Sequence, residues 1–125
     1  MKAEPMQVDE KDYEDVVVLR VRGVLAYRPN VSHFYDRLDQ LKQMGRTRVV
    51  VDCSGLTGCG AALLGWLVSG QKMLREVGGD LCLSGLSVRM SRILKVMQLS
   101  DRFATFKTTD RAVSQLHKRQ LMSAA

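Results

Sequence analysis

Little in this chain points to redox, metal or nucleophilic chemistry. It has three cysteines, Cys53, Cys59 and Cys82. No two form a CxxC pair, and no histidine lies close to any of them in sequence. Structural zinc usually takes four Cys/His ligands at short paired spacings, so no metal site is expected. The thiols read as small buried apolar residues, with a redox role for Cys59, in a Gly-rich stretch, as the lesser alternative. The two histidines, His33 and His117, fall on different predicted helices, away from paired carboxylates in sequence. There is no GxSxG, no HExxH and no EF-hand loop. Asp52 and Asp80 lie at strand ends, where a carboxylate caps a loop as readily as it acts as a base. Enzymatic activity and a bound cofactor are therefore not expected. No apolar run approaches the roughly 18 residues of a membrane-spanning helix. Met1–Pro5 is polar and lacks the apolar core of a signal peptide, so the chain reads as cytoplasmic.

What is present is ordinary for a folded domain. Apolar residues make up 46% and charged residues 26% of 125 residues, which excludes wholesale disorder and gives one domain as the default. The net charge of +6 is uneven. Residues 1–15 carry Lys2 and Lys11 against six acids, and the remainder is strongly basic. A basic body attracts nucleic acid, membrane surfaces or acidic proteins, and just as often is a solvated surface.

The periodicity gives the element order. Val16–Arg22 is β-branched and ends at Gly23, a strand, and residues 3–13 hold room for an edge strand beside it. Asn30 starts a helix with the stripe Val31, Phe34, Leu38 and Leu41, ending near Gly45. Arg48–Cys53 is a buried strand, and residues 54–60 read as a loop. Ala61–Glu76 is helical and stops at Gly78-Gly79. Asp80–Ser84 is a strand. Ser87–Met97 is a helix with Met90, Ile93, Leu94 and Met97 on one face, and Arg89, Arg92 and Lys95 along another. Ala104–Lys107 is the last strand. Thr108 or Thr109 caps a final helix with Val113, Leu116 and Leu121 inward, and 121–125 is a frayed tail. The order ββαβαβαβα predicts an α/β domain over 14–120, with a mixed, mostly parallel sheet of four to five strands and about four helices. Residues 1–13 are an acidic arm or edge strand.

The stretch Gly55-Leu56-Thr57-Gly58-Cys59-Gly60-Ala61-Ala62 follows a strand and opens a helix, as a phosphate-cradling P-loop does. A P-loop needs Lys and then Ser or Thr where this chain has Ala61 and Ala62. Read as a dinucleotide fingerprint, it lacks the third glycine. A helix N-terminus still attracts anions, so a nucleotide or anion module at this loop remains an alternative.

Val49–Asp52, then Ser54-Gly55-Leu56-Thr57, an apolar helix, Gly78-Gly79 and Leu81–Gly85 resemble a STAS domain, the domain of bacterial anti-sigma factor antagonists and of some anion transporters. Leu19–Leu25 looks like its first strand end, Val88–Leu99 like its third helix and following turn, and Asp101 through Val113 like its final strand and helix. The resemblance spans roughly residues 14–117. Family antagonists usually read Asp-Ser-Ser/Thr-Gly where the second helix begins, and a partner kinase phosphorylates the first Ser. Those positions fall here on Gly60, Ala61, Ala62 and Leu63, and a methyl group cannot accept a phosphoryl group. An acidic residue that often follows the first strand is here Ala26.

The resemblance implies a non-enzymatic protein-interaction domain that binds an anti-sigma factor, a kinase-type or another regulatory partner without the Ser switch. The alternatives are a STAS subunit of a transporter or a scaffold complex. The candidate partner surface is Ser54, Thr57, Gly58, Cys59, Gly60, Ala61, Ala62, Leu64 and Trp66. Ser54 and Thr57 are substitute phosphosites or, more simply, loop caps. A 100° step per residue sets Trp66 on a different side from Leu64, so an exposed Trp66 would anchor a partner or a second copy of the chain in a homodimer. Nucleic acid would use Arg89, Arg92 and Lys95 with Lys107, Arg111, Lys118 and Arg119, but no recognition motif accompanies them, and it is not expected.

Overall fold

In the computed structural model, residues 7–24, 28–58 and 61–124 are described. The elements are β1 (Gln7–Tyr13), β2 (Val16–Val24), α1 (Arg28–Gln43), β3 (Arg48–Gly58), α2 (Ala61–Arg75), β4 (Asp80–Ser84), α3 (Val88–Val96), β5 (Thr105–Phe106) and α4 (Thr109–Ala124). The strands form a single sheet in sequential order, β1-β2-β3-β4-β5. β1 runs antiparallel to β2, and β2 through β5 are parallel. The α/β class, the element order and the mostly parallel sheet are as the sequence predicts.

The central strands are apolar without alternation because both their faces are covered. Val17, Leu19, Val49, Val51, Leu81 and Leu83 join one core with Phe34 and Leu38 of α1, Leu67 and Leu74 of α2, and Met90 and Leu94 of α3. Val16, Val18, Val50 and Cys82 point the other way, onto Ala112 and Leu116 of α4. Three helices thus cover one face and α4 the other. β1 is different. It is an edge strand, and its acids are tied by ion pairs to neighbours: Asp9 to Arg22, Glu10 to Arg37 and Asp12 to Arg46. Charged edges of this kind oppose strand addition by another chain.

Helix boundaries follow local chemistry. Ser87 caps α3 by accepting the Met90 N–H at 3.1 Å. Thr108 rather than Thr109 caps α4, accepting the Arg111 N–H at 3.3 Å. α2 is tied to the rest by Gln71, fully buried, whose amide donates to the Arg102 carbonyl at 2.9 Å. Cys53 and Cys82 are buried, as expected. Met97 departs from the predicted apolar face of α3: it is the C-cap residue and 54% exposed, because the helix ends before its side chain reaches the core. The side chains of Val31 and Leu121 lie outside the described residues.

Candidate functional site

The largest departure from the sequence reading is at residues 54–60. Ser54–Gly58 is not a loop but the continuation of β3. It keeps pairing with the end of β2, Arg22 with Gly55, Gly23 with Leu56 and Val24 with Gly58, across register shifts between Arg20 and Arg22 and between Gly23 and Val24. Glycine makes this possible at Gly55, where a Cβ would meet Arg22 Cγ at 2.5 Å and the Val21 carbonyl at 3.0 Å. Glycine usually weakens a strand, but here it permits the two backbones to approach. A strand through Gly58 also leaves less of the open loop that a phosphate cradle requires. Cys59 and Gly60 lie outside the described residues, as do the side chains of Thr57, Ala61, Ala62 and Leu63. The backbone places Ala61 and Ala62 as the opening residues of α2, where the sequence expects them.

Two members of the predicted partner surface are buried. Leu64 is 5% and Trp66 4% exposed, and both belong to the main core. The expectation that Trp66 anchors a partner is therefore corrected. The helical step does turn it away from Leu64, but α1 waits on that side. The Phe34 ring meets the indole edge-on, with centroids 4.0 Å apart and planes at 77°.

Ser54 is exposed, and it is organised by Asp52, which the sequence places at a strand end as a loop cap or a base and the structure places within β3. Asp52 Oδ1 accepts the Ser54 N–H at 3.0 Å and the Ser54 hydroxyl at 2.7 Å. Oδ2 accepts the Thr109 hydroxyl at 3.0 Å and lies 3.5 Å from Arg20 Nε. Thr109's single proton is thus committed, so the Ser84 hydroxyl, 2.9 Å away, donates to Thr109. Burial of Asp52 works to raise its pKa. The Ser54 and Thr109 hydrogen bonds and the Arg20 charge outweigh it, and the carboxyl titrates below its ordinary value. The network joins the middle of β2 and β3 and the C-terminal end of β4 to the start of α4. It underlies a shallow cavity of about 260 Å3 lined also by Gly85, Lys107, Thr108 and Asp110. Gly85 has φ +65°, and a Cβ there would stand 3.0 Å from Ser54 Cβ and 3.2 Å from Asp52 Oδ1, so the close approach of the β4 turn to Ser54 depends on glycine.

The cations named for nucleic acid do not form one stripe. Arg89, Arg92 and Lys95 are exposed on α3, whereas Arg111 and Lys118 are exposed on α4, across the sheet from α3. Among the described residues no helix is long and apolar enough to cross a membrane.

This architecture is that of anti-sigma factor antagonists. The chain is similar to a putative anti-sigma factor antagonist of Thermotoga maritima (TM-score 0.77, 19% identity, 88% of this chain and 94% of that one). It is similar to the Bacillus anti-sigma factor antagonist SpoIIAA in its unphosphorylated form (TM-score 0.76, 17% identity, 90% and 96%), and to RsbS of Moorella thermoacetica (TM-score 0.78, 19% identity, 91% and 97%). At these identities the likeness is one of fold. Residues 7–107 match the family model described as Mlab, STAS domain, and the chain belongs to that family. No curated protein matches it.

Proposed function

We propose that this domain is a non-enzymatic docking module of the anti-sigma factor antagonist type, which binds a protein partner through the end of β3 and the first turn of α2 and lacks the serine switch. The observation that carries the reading is the start of α2 at Ala61-Ala62, directly after β3. By its resemblance to the family, this is where the phosphorylated serine stands. The partner is an anti-sigma factor or a kinase-type regulator. The docking residues are Ser54, Thr57, Gly58, Cys59, Gly60, Ala61 and Ala62; Leu64 and Trp66 support this turn from within the core. Ser54 is held by Asp52 as a structural cap rather than serving as a substitute phosphosite.

Ala61→Asp tests the surface. The first turn of α2 contains no acidic residue, and unpaired N–H groups there favour a negative charge by about 0.3–1 kcal/mol. The variant should melt at or slightly above the parent temperature. An unpaired carboxylate buried against a partner costs several kcal/mol, enough to remove a micromolar complex. Full-affinity capture of a purified anti-sigma kinase by a folded Ala61→Asp variant would place the interface elsewhere. In the parent chain, incubation with that kinase and labelled ATP should leave residues 60–63 unlabelled. High-occupancy phosphate on Ser54 or Thr57 would refute the loss of the switch.

A further inference from the structure

We propose that Glu14, Asp15 and His117 form a binding site for a transition-metal dication of the zinc class, which clamps the β1–β2 turn to α4. One ring nitrogen of His117 and one carboxylate oxygen from each acid lie within 4.8 Å of one another. His117 is 102 positions from Asp15, so only the fold assembles this donor set. The cluster lies away from the β3–α2 surface, and the proposal does not depend on the docking reading.

The geometry assigns distinct roles. His117 Nδ1 is 2.6 Å from Asp15 Oδ1. A neutral ring that donates Nδ1–H to this carboxylate has its lone pair on Nε2, the carboxylate–histidine–metal arrangement common in metalloproteins. His117 Nε2 lies 3.9 Å from Glu14 Oε2. An ion with bonds of about 2.0–2.2 Å to nitrogen and oxygen bridges up to roughly 4.2 Å. It therefore fits between these atoms, and a small rotation of the open Glu14 side chain (84% exposed) brings the angle toward tetrahedral. The second oxygen of Asp15 is buried with no hydrogen-bond partner. An imidazole nitrogen beside a carboxylate oxygen selects zinc or nickel over magnesium or calcium, which prefer all-oxygen sites. Solvent at Glu14 provides the entry path and the remaining ligands. The Arg46 guanidinium donates to the Glu14 carbonyl and to Asp12 Oδ1, not to a carboxylate of the cluster.

The test is a zinc titration of the full chain after chelator treatment, read by calorimetry and by melting temperature. One Zn2+ should bind per chain and raise the melting temperature, and Mg2+ should not compete. His117→Gln and Glu14→Gln should each weaken Zn2+ binding at least roughly tenfold and remove the thermal shift. His33→Gln should bind like the parent. Glu14 is open to solvent, so Glu14→Gln keeps the test decisive if His117→Gln folds poorly. Unchanged Zn2+ affinity in Glu14→Gln, or no binding to the parent at about 1 mM ion, would overturn the site.

Discussion

Replacing Asp52 with Asn changes one atom of the polar network and leaves its shape intact. The amide oxygen can still accept the Ser54 N–H and hydroxyl, now as a neutral group. The other oxygen becomes an NH2 facing Thr109 and Arg20, where the carboxylate accepts at 3.0 Å and attracts at 3.5 Å. Hydrogen bonds to a charged acceptor contribute about 1.5–3 kcal/mol and neutral ones about 0.5–1.5 kcal/mol. The Arg20 side chain is 58% exposed, so its share is small. Asp52→Asn should therefore cost about 1–3 kcal/mol at pH 7, and Asp52→Ala, which leaves Ser54 and Thr109 without an acceptor, about 3–4 kcal/mol. The folded-state pKa of Asp52 is lowered. Its contribution is present above the unfolded carboxylate pKa and is lost as pH falls through the lower folded value. Urea unfolding of the parent and Asp52→Asn should show the full gap at pH 7 and a shrinking gap below about pH 4. Other carboxylates titrate in both proteins and cancel in the difference. A gap that is the same at pH 7 and pH 3.5, or one that never exceeds about 0.5 kcal/mol, would refute the role assigned to this carboxylate.

Two further substitutions probe the core and the turn after β4. Trp66→Ala should destabilise the fold by about 3–5 kcal/mol in urea, because the indole is buried against Phe34; a loss below about 1 kcal/mol would mean that Trp66 is open to solvent. Gly85→Ala should cost about 1–3 kcal/mol, from the positive φ and the contact with Ser54, and thermal unfolding at the parent temperature would contradict that packing.

Much of this protein is written locally. The unbroken apolar runs 16–19, 49–51 and 81–83 declare strands covered on both faces, since a half-solvated strand would alternate. The spacing Phe34, Leu38, Leu41 marks a buried helix stripe, and Gly78-Gly79 marks where α2 stops. These signals depend on a residue and its near neighbours, so the order of elements and the parallel sheet follow from the chain alone. Two features escaped for opposite reasons. Ser54–Gly58 has the composition of a loop, yet the end of β2 lies beside it and supplies the hydrogen bonds that make it strand. Trp66 has the position of a surface anchor, yet α1, which ends well before it in sequence, covers it with Phe34. The polar clusters are further still from local signals. Asp52 becomes a buried anchor only when Thr109 arrives from α4, and His117 meets Asp15 only because α4 packs back along the sheet to the start of β2. Side-chain chemistry determined what each residue could do, and the packing of α4 on the face opposite α1, α2 and α3 decided which of them meet.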